Sequence, residues 1–229
     1  MTLDEVVGII KKSGSKADRI GQQHFGIGGA NSYGMRVPQM RAIAKSIGKD
    51  HALALKLWKT GIHEAKHIAS MIADKNAVTE KLMEEWLKDL DSWDIVDGCC
   101  SNLFDKTPFA YKKAIEWTKR RGEFQKRAGF AMMAMLAVHD KKAKDEMFEQ
   151  FFPYILKEST DERNFVKKAV NWAIRQIGKR NKRLCKNAIA LTEKVRAKGD
   201  SCSRWIAADA LRELKSYQVA GKIRDIGNK

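Results

Sequence analysis

From Leu3 onward, apolar residues return at three- and four-residue intervals and are separated by short polar or glycine-containing breaks. Runs in which β-branched residues alternate with polar ones are missing, so the pattern predicts helices and no strands. Helices are expected over 3–12, from Pro38 through about Ser46, and near 50–59, 62–73, 78–88, 92–104, 109–119, 123–137, 143–157, 162–178, 182–197 and 202–214. A Gly-rich stretch, Gly26-Ile27-Gly28-Gly29-Ala30-Asn31, reads as a connector. Tyr33 to Val37 then reads as a turn that delivers Pro38 to the first turn of a helix, where its missing N–H costs nothing.

Short helices in series call for a search for repeats. Three stretches share a pattern: Phe124 to Ala131, Phe165 to Ala173 and Ser203 to Ala210. Aligning Ala128, Ala169 and Ala207 gives offsets of 41 and 38 residues, close to the roughly 40–47 of HEAT-type helix pairs. The expected fold is all-α, an α-solenoid of antiparallel HEAT-like helix pairs. Nothing in the sequence marks a boundary, so one curved domain over 1–229 is expected, with the second helix of each pair lining a concave face.

Charge adds a partner to this picture. Lys and Arg number 44 against 28 Asp and Glu, a formal net charge of +16, which points to a polyanion. Lys119-Arg120-Arg121, Lys126-Arg127, Lys167-Lys168, Arg175 and Lys179 to Arg183 fall at helix ends or on segments expected to line the inner face. A basic concave surface of that kind suits a phosphate backbone. The four cysteines lack the spacing of a metal site or a disulfide framework and read as reduced core thiols of a cytoplasmic protein. There is no N-terminal apolar signal and no run of 18 apolar residues, so neither secretion nor membrane spanning is expected.

Two stretches carry candidate chemistry. In Asp91-Ser92-Trp93-Asp94-Ile95-Val96-Asp97-Gly98-Cys99-Cys100, Asp91 and Ser92 are good N-cap residues. A helix starting there puts Trp93 and Asp97 at i and i+4, a flat indole beside a carboxylate, suited to a planar cation. His63-Glu64-Ala65-Lys66-His67 matches H-E-x-x-H, the zinc-peptidase pattern, with Glu84 or Glu85 as a nominal third ligand. A substrate-binding sheet is missing, so the peptidase reading is set aside and no metal is expected. His63 is expected to face solvent, with Glu64 and His67 in local polar contacts, so that replacing either histidine leaves binding and turnover near normal.

Taken in order, Tyr33 to Arg41, Leu57-Trp58, Ser92 to Asp97, Lys126-Arg127-Ala128 and Phe165 to Arg175 resemble the AlkD-type DNA alkylation-repair proteins, the HEAT-like-repeat DNA glycosylases. The resemblance covers roughly residues 20–215. It implies excision of cationic N-alkylated purines such as 3-methyladenine and 7-methylguanine from double-stranded DNA by a monomeric, monofunctional glycosylase without a cofactor. By position it implies that Asp97 is catalytic, that Trp93 and Trp172 contact the lesion, and that Arg127 holds the backbone. Arg36, Lys126, Lys168 and Arg175 are the further expected DNA contacts. Relatives on this fold also bind branched or distorted DNA without appreciable excision, which gives a second expectation, a non-catalytic DNA-binding protein.

Overall fold

A computed structural model describes residues 1–28, 31–216 and 221. Among these there is no strand, and the contacts divide the chain into two compact units, residues 1–107 and 108–229. Among the described residues no helix is long and apolar enough to cross a membrane.

The N-terminal unit is built from α1 (Leu3–Ser13), α2 (Lys16–His24), α3 (Val37–Ile47), α4 (His51–Lys59), α5 (His63–Ile72), α6 (Glu80–Lys88) and α7 (Trp93–Asn102). Side-chain caps set several of the starts: Thr2 and Glu5 form a reciprocal capping box on α1, and Ser15, Asp50 and Thr79 each accept from a first-turn N–H of α2, α4 and α6. At the centre is α5, in which every residue but Met71 is buried, and which packs on α3, α4 and α7. Beside it Trp58 and Trp86 stack with ring centroids 3.9 Å apart and planes 2° from parallel. Trp58 Nε1 donates to Asp89 Oδ2 at 2.9 Å and Lys66 Nζ donates to the Asp89 carbonyl at 2.7 Å. The link between α6 and α7 is thereby tied down from two helices.

The C-terminal unit contains α8 (Ala110–Trp117), α9 (Glu123–His139), α10 (Glu146–Glu149), α11 (Phe152–Glu158), α12 (Asn164–Gly178), α13 (Lys182–Arg196) and α14 (Ser201–Leu214). Its spine is α9, buried without interruption from Arg127 to Ala137, as a helix apolar on all sides must be. α8 and α12 both pack on α9, and α14 packs on α12 and α13. The repeat offset read from the sequence has a physical counterpart here. Phe124 of α9 lies 5.5 Å from Phe165, its equivalent in α12, and Asn171 of α12 donates to Asp209 of α14 at 2.6 Å. Arg175, one turn beyond Asn171, pairs with Glu213, one turn beyond Asp209, so α12 and α14 run parallel in register.

Most predicted helices are present within two residues at each end, with three differences. The stretch 143–157 is two helices, α10 and α11, because Pro153 starts a new helix in its first turn. The end of the helix expected over 92–104 is instead a separate 3-10 turn at Phe104–Lys106. The third is α2, which the apolar pattern missed because none of its residues is buried. Gly29 and Ala30 of the Gly-rich connector lie outside the described residues.

Gly129 fixes how closely α8 and α9 approach. A Cβ there would sit 2.7 Å from the Thr118 N and 2.9 Å from the Ala114 carbonyl oxygen, both backbone atoms that cannot swing aside. Gly129→Ala is therefore expected to lower stability by about 1–3 kcal/mol. A urea unfolding midpoint equal to that of the unmodified protein would show that this approach is looser than described.

Candidate functional site

Two of the candidate stretches of the N-terminal unit lie on neighbouring helices: His63 to His67 on α5, which packs on α7, and Trp93 and Asp97 on α7. The α7 helix begins at Trp93, with Ser92 as its N-cap residue, so Trp93 and Asp97 do lie one turn apart on one side, both half-buried. Trp93 Nε1 donates to the Phe25 carbonyl at 2.9 Å, which ties the indole to the end of α2. The Ser92 hydroxyl does not cap the helix. It donates instead to Asp94 Oδ1 at 2.7 Å.

Asp94 is the residue that sequence reasoning overlooked. Its Oδ2 lies 2.9 Å from Nε2 of His63 and 2.9 Å from Nε2 of His67. An ionised carboxylate only accepts, so both Nε2 atoms carry protons. Burial raises the Asp94 pKa, but the hydrogen bonds from His63 and His67 and the electrostatic attraction of the two rings more than offset it. The carboxyl is held well below its ordinary range. Gly98 makes room for this, since a Cβ there would lie 2.9 Å from His67 Nδ1.

The expectation of a solvent-facing His63 is corrected: His63 is 5% exposed and His67 4%. Two imidazoles one turn apart on an inward-facing helix required an acid, and it came from Asp94 rather than from Glu84 or Glu85 of α6. Glu64, fully buried, has a separate task. Its Oε1 accepts from the Ser32 hydroxyl at 3.1 Å and from the backbone N–H groups of Tyr33, Gly34 and Met35 at 2.9, 2.8 and 3.2 Å. The turn before α3 is folded around this one oxygen. Gly34 takes φ +79°, and a side chain there would run into the Ser15 carbonyl and the Arg19 N–H.

His63, His67 and Asp94 offer three ligand atoms within 4.8 Å of one another. A tetrahedral zinc ion would hold such atoms roughly 3.3 Å apart and would need both Nε2 atoms unprotonated. The protons would then move to Nδ1. His63 Nδ1 is buried without a partner, whereas a ligating imidazole hands its other N–H to an acceptor. Glu64, which a peptidase would need as base, is committed to the turn at 32–35. The trio fits a hydrogen-bonded clasp better than a metal centre.

The remaining candidates differ in how available they are. Arg36 forms a two-pronged pair with Asp18, Nε to Oδ2 at 2.9 Å and Nη2 to Oδ1 at 2.7 Å, on an exposed surface. In the C-terminal unit, Arg127 is 5% exposed and donates to the Phe165 carbonyl at 2.8 Å. Lys126 is half-buried between Glu158 at 2.5 Å and Asp161 at 3.2 Å. Arg175 pairs with Glu213 and reaches to 3.8 Å from Asp209 Oδ2. Lys126 and Arg175 thus hold helices together. Lys168 is exposed, and Trp172 is half-buried on α12, its indole N–H facing Gln176 at 3.1 Å when that amide presents its oxygen.

The family model described as DNA alkylation repair enzyme matches residues 10–214. One solved structure is similar to this one over 93% of the chain and 95% of its own length, with a TM-score of 0.75 at 20% identity. It was described as "a new family of proteins related to the HEAT-like repeat DNA glycosylases with affinity for branched DNA structures". No curated protein matches the chain.

The clasp has a defined energetic signature. A depressed carboxyl contributes stability above its unfolded pKa, about 3.9, and the contribution is lost as pH falls through the lower folded value. Asp94→Ala is expected to cost about 3 kcal/mol at neutral pH. His63→Ala and His67→Ala are each expected to cost about 1–3 kcal/mol of stability. Chemical denaturation at pH 7 and at pH 3 checks this. The gap between wild type and Asp94→Ala should narrow at the lower pH, and an equal gap at both would remove the clasp's electrostatic component.

Proposed function

Because the chain belongs to the DNA alkylation repair enzyme family, we propose that it is a monofunctional glycosylase that releases cationic N-alkylated purines from double-stranded DNA. The observation that carries this reading is the pairing of Trp93 and Asp97, an indole and a carboxylate one turn apart on a helix start that is rigidly held. An N-alkylated purine already bears positive charge, so it leaves with the electron pair of the C1′–N bond and needs little protonation. The sugar is left as an oxocarbenium ion. A carboxylate beside it stabilises that charge more in the transition state than in the ground state. Asp97 takes this role, orients the water that adds to C1′, and accepts the proton that the water gives up.

Trp93 and Trp172 are the proposed lesion contacts, each indole face favouring a cation by roughly 0.5–2 kcal/mol. Arg127, Arg36 and Lys168 are the proposed backbone contacts. Arg36 would exchange Asp18 for a phosphate, and Lys126 and Arg175 would have to surrender internal ion pairs to do the same. The protein is proposed to act as a monomer in the cytoplasm. No step calls on a metal or a redox group.

A second reading, binding of branched DNA without excision, is favoured by the description of the structurally similar protein. One assay separates the two. Wild type and Asp97→Asn are incubated with methylated duplex DNA, and free 7-methylguanine is quantified. Release that falls by about 10²–10³-fold in the variant is expected from loss of a transition-state charge partner. Equal release from both proteins would remove Asp97 from the chemistry. No release from either, with tight binding of a junction DNA, selects the second reading.

A further inference from the structure

The parallel ladder between α12 and α14 has three rungs at one spacing. Two are polar and closed: Asn171 with Asp209, and Arg175 with Glu213. The third differs in kind. Lys167 Nζ stands 4.9 Å from the ring centroid of Trp205, and Trp205 is 40% exposed. Trp is the largest side chain and is rarely left so open, because covering it yields more than covering any other residue. Its exposure on a helix whose other face is fully packed, with Ile206, Ala207 and Ala210 buried, is not a packing defect.

The surroundings define what would cover it. No carboxylate among the described residues pairs with Lys167 or Lys168, and Lys168 is exposed. Arg204, next to Trp205, is exposed and spends one Nη on the Gly199 carbonyl. The nearby acids are mostly engaged: Asp161 with Lys126 and Arg163, and Asp200 with the first turn of α14 through Ser203. Glu162, which is exposed, is the remaining one. A flat, partly open indole with one ammonium over it, not paired to a carboxylate, and an exposed lysine next in sequence to that ammonium match a nucleotide, whose base is flat and whose phosphate is anionic. A paired base inside a duplex offers no free face.

We propose that Trp205 is a stacking platform for an unpaired base of DNA, with Lys167 and Lys168 holding the adjoining phosphates. This rests on the DNA-binding part of the function proposed above and specifies which DNA the C-terminal unit prefers: DNA with bases out of the stack, at a branch, a bulge or a single-stranded end. It asks nothing of Asp97, so it stands whether or not the protein excises bases.

The test compares wild type, Trp205→Ala, Trp205→Phe and Lys167→Gln on two DNAs of equal length at one salt concentration. One DNA is a fully paired duplex and the other carries a short single-stranded flap containing 2-aminopurine. Stacking of one base is worth roughly 1–3 kcal/mol, so Trp205→Ala should weaken flap binding by about 5–150-fold. Duplex binding should stay within about threefold and the melting temperature should be unchanged. Trp205→Phe should keep part of the preference. Lys167→Gln should reduce the salt dependence of flap binding. Wild type should quench the 2-aminopurine fluorescence and Trp205→Ala should not.

Equal losses on both DNAs, or no loss on either, would overturn the platform while leaving DNA binding intact. An acidic peptide that displaces the flap as well as an oligonucleotide of equal charge would reduce the site to bare charge and overturn stacking. Wild type that binds neither DNA at low salt would overturn both this proposal and the reading on which it rests.

Discussion

Two imidazoles of α5 close on one oxygen of Asp94, and that contact sets the geometry of the N-terminal unit. It joins the most buried helix of the unit to the first turn of α7, where the side chains of interest are mounted. An acid at that position without both rings would be an uncompensated buried charge, and the rings without the acid would be buried donors with nothing to receive them. Ser92 occupies the other carboxylate oxygen, so the start of α7 is defined by a side-chain network rather than by an ordinary cap. Trp93, one residue away, is held from its other end by the Phe25 carbonyl. The indole and Asp97 are thereby presented by a helix whose first turn has little freedom to shift.

Glu64 shows how a familiar motif can serve another end. The H-E-x-x-H spacing places two imidazoles on one face of a helix, and that part of its usual meaning holds. The glutamate, however, faces the other way, toward the backbone of residues 32–35, where it replaces the partners that a buried turn would otherwise lack. Both halves of the motif hold α5 against its neighbours, one through α7 and the other through the turn before α3.

Much of the architecture was legible because helical periodicity is a property of single segments. The repeat that aligns Ala128, Ala169 and Ala207 reappears as contacts between equivalent positions of α9, α12 and α14. The missing helix, α2, buries nothing and therefore leaves no apolar trace, although Ser15 followed by Asp18 was a usable start signal, since the Ser15 hydroxyl accepts from the Asp18 N–H. The site was half legible. Trp93 and Asp97 could be paired because they are neighbours in sequence. Asp94 could not be matched to His63 and His67, which sit two helices earlier, because nothing local says which acid a buried histidine will find. Lys126 and Arg175 read as surface cations for the same reason: their partners, Glu158, Asp161 and Glu213, belong to other segments, far along the chain.

The internal pairing of those cations separates two quantities that a net charge of +16 blurs together. The long-range field, which draws a polyanion in from solution, depends on the sum of all charges wherever they sit. The steepness with which binding falls as electrolyte is added depends only on how many condensed counterions the protein expels from the nucleic acid. Ammonium and guanidinium groups that stay committed to carboxylates expel none. On the proposed reading as a DNA-binding protein, capture would be fast and the grip less sensitive to ionic strength than the composition suggests.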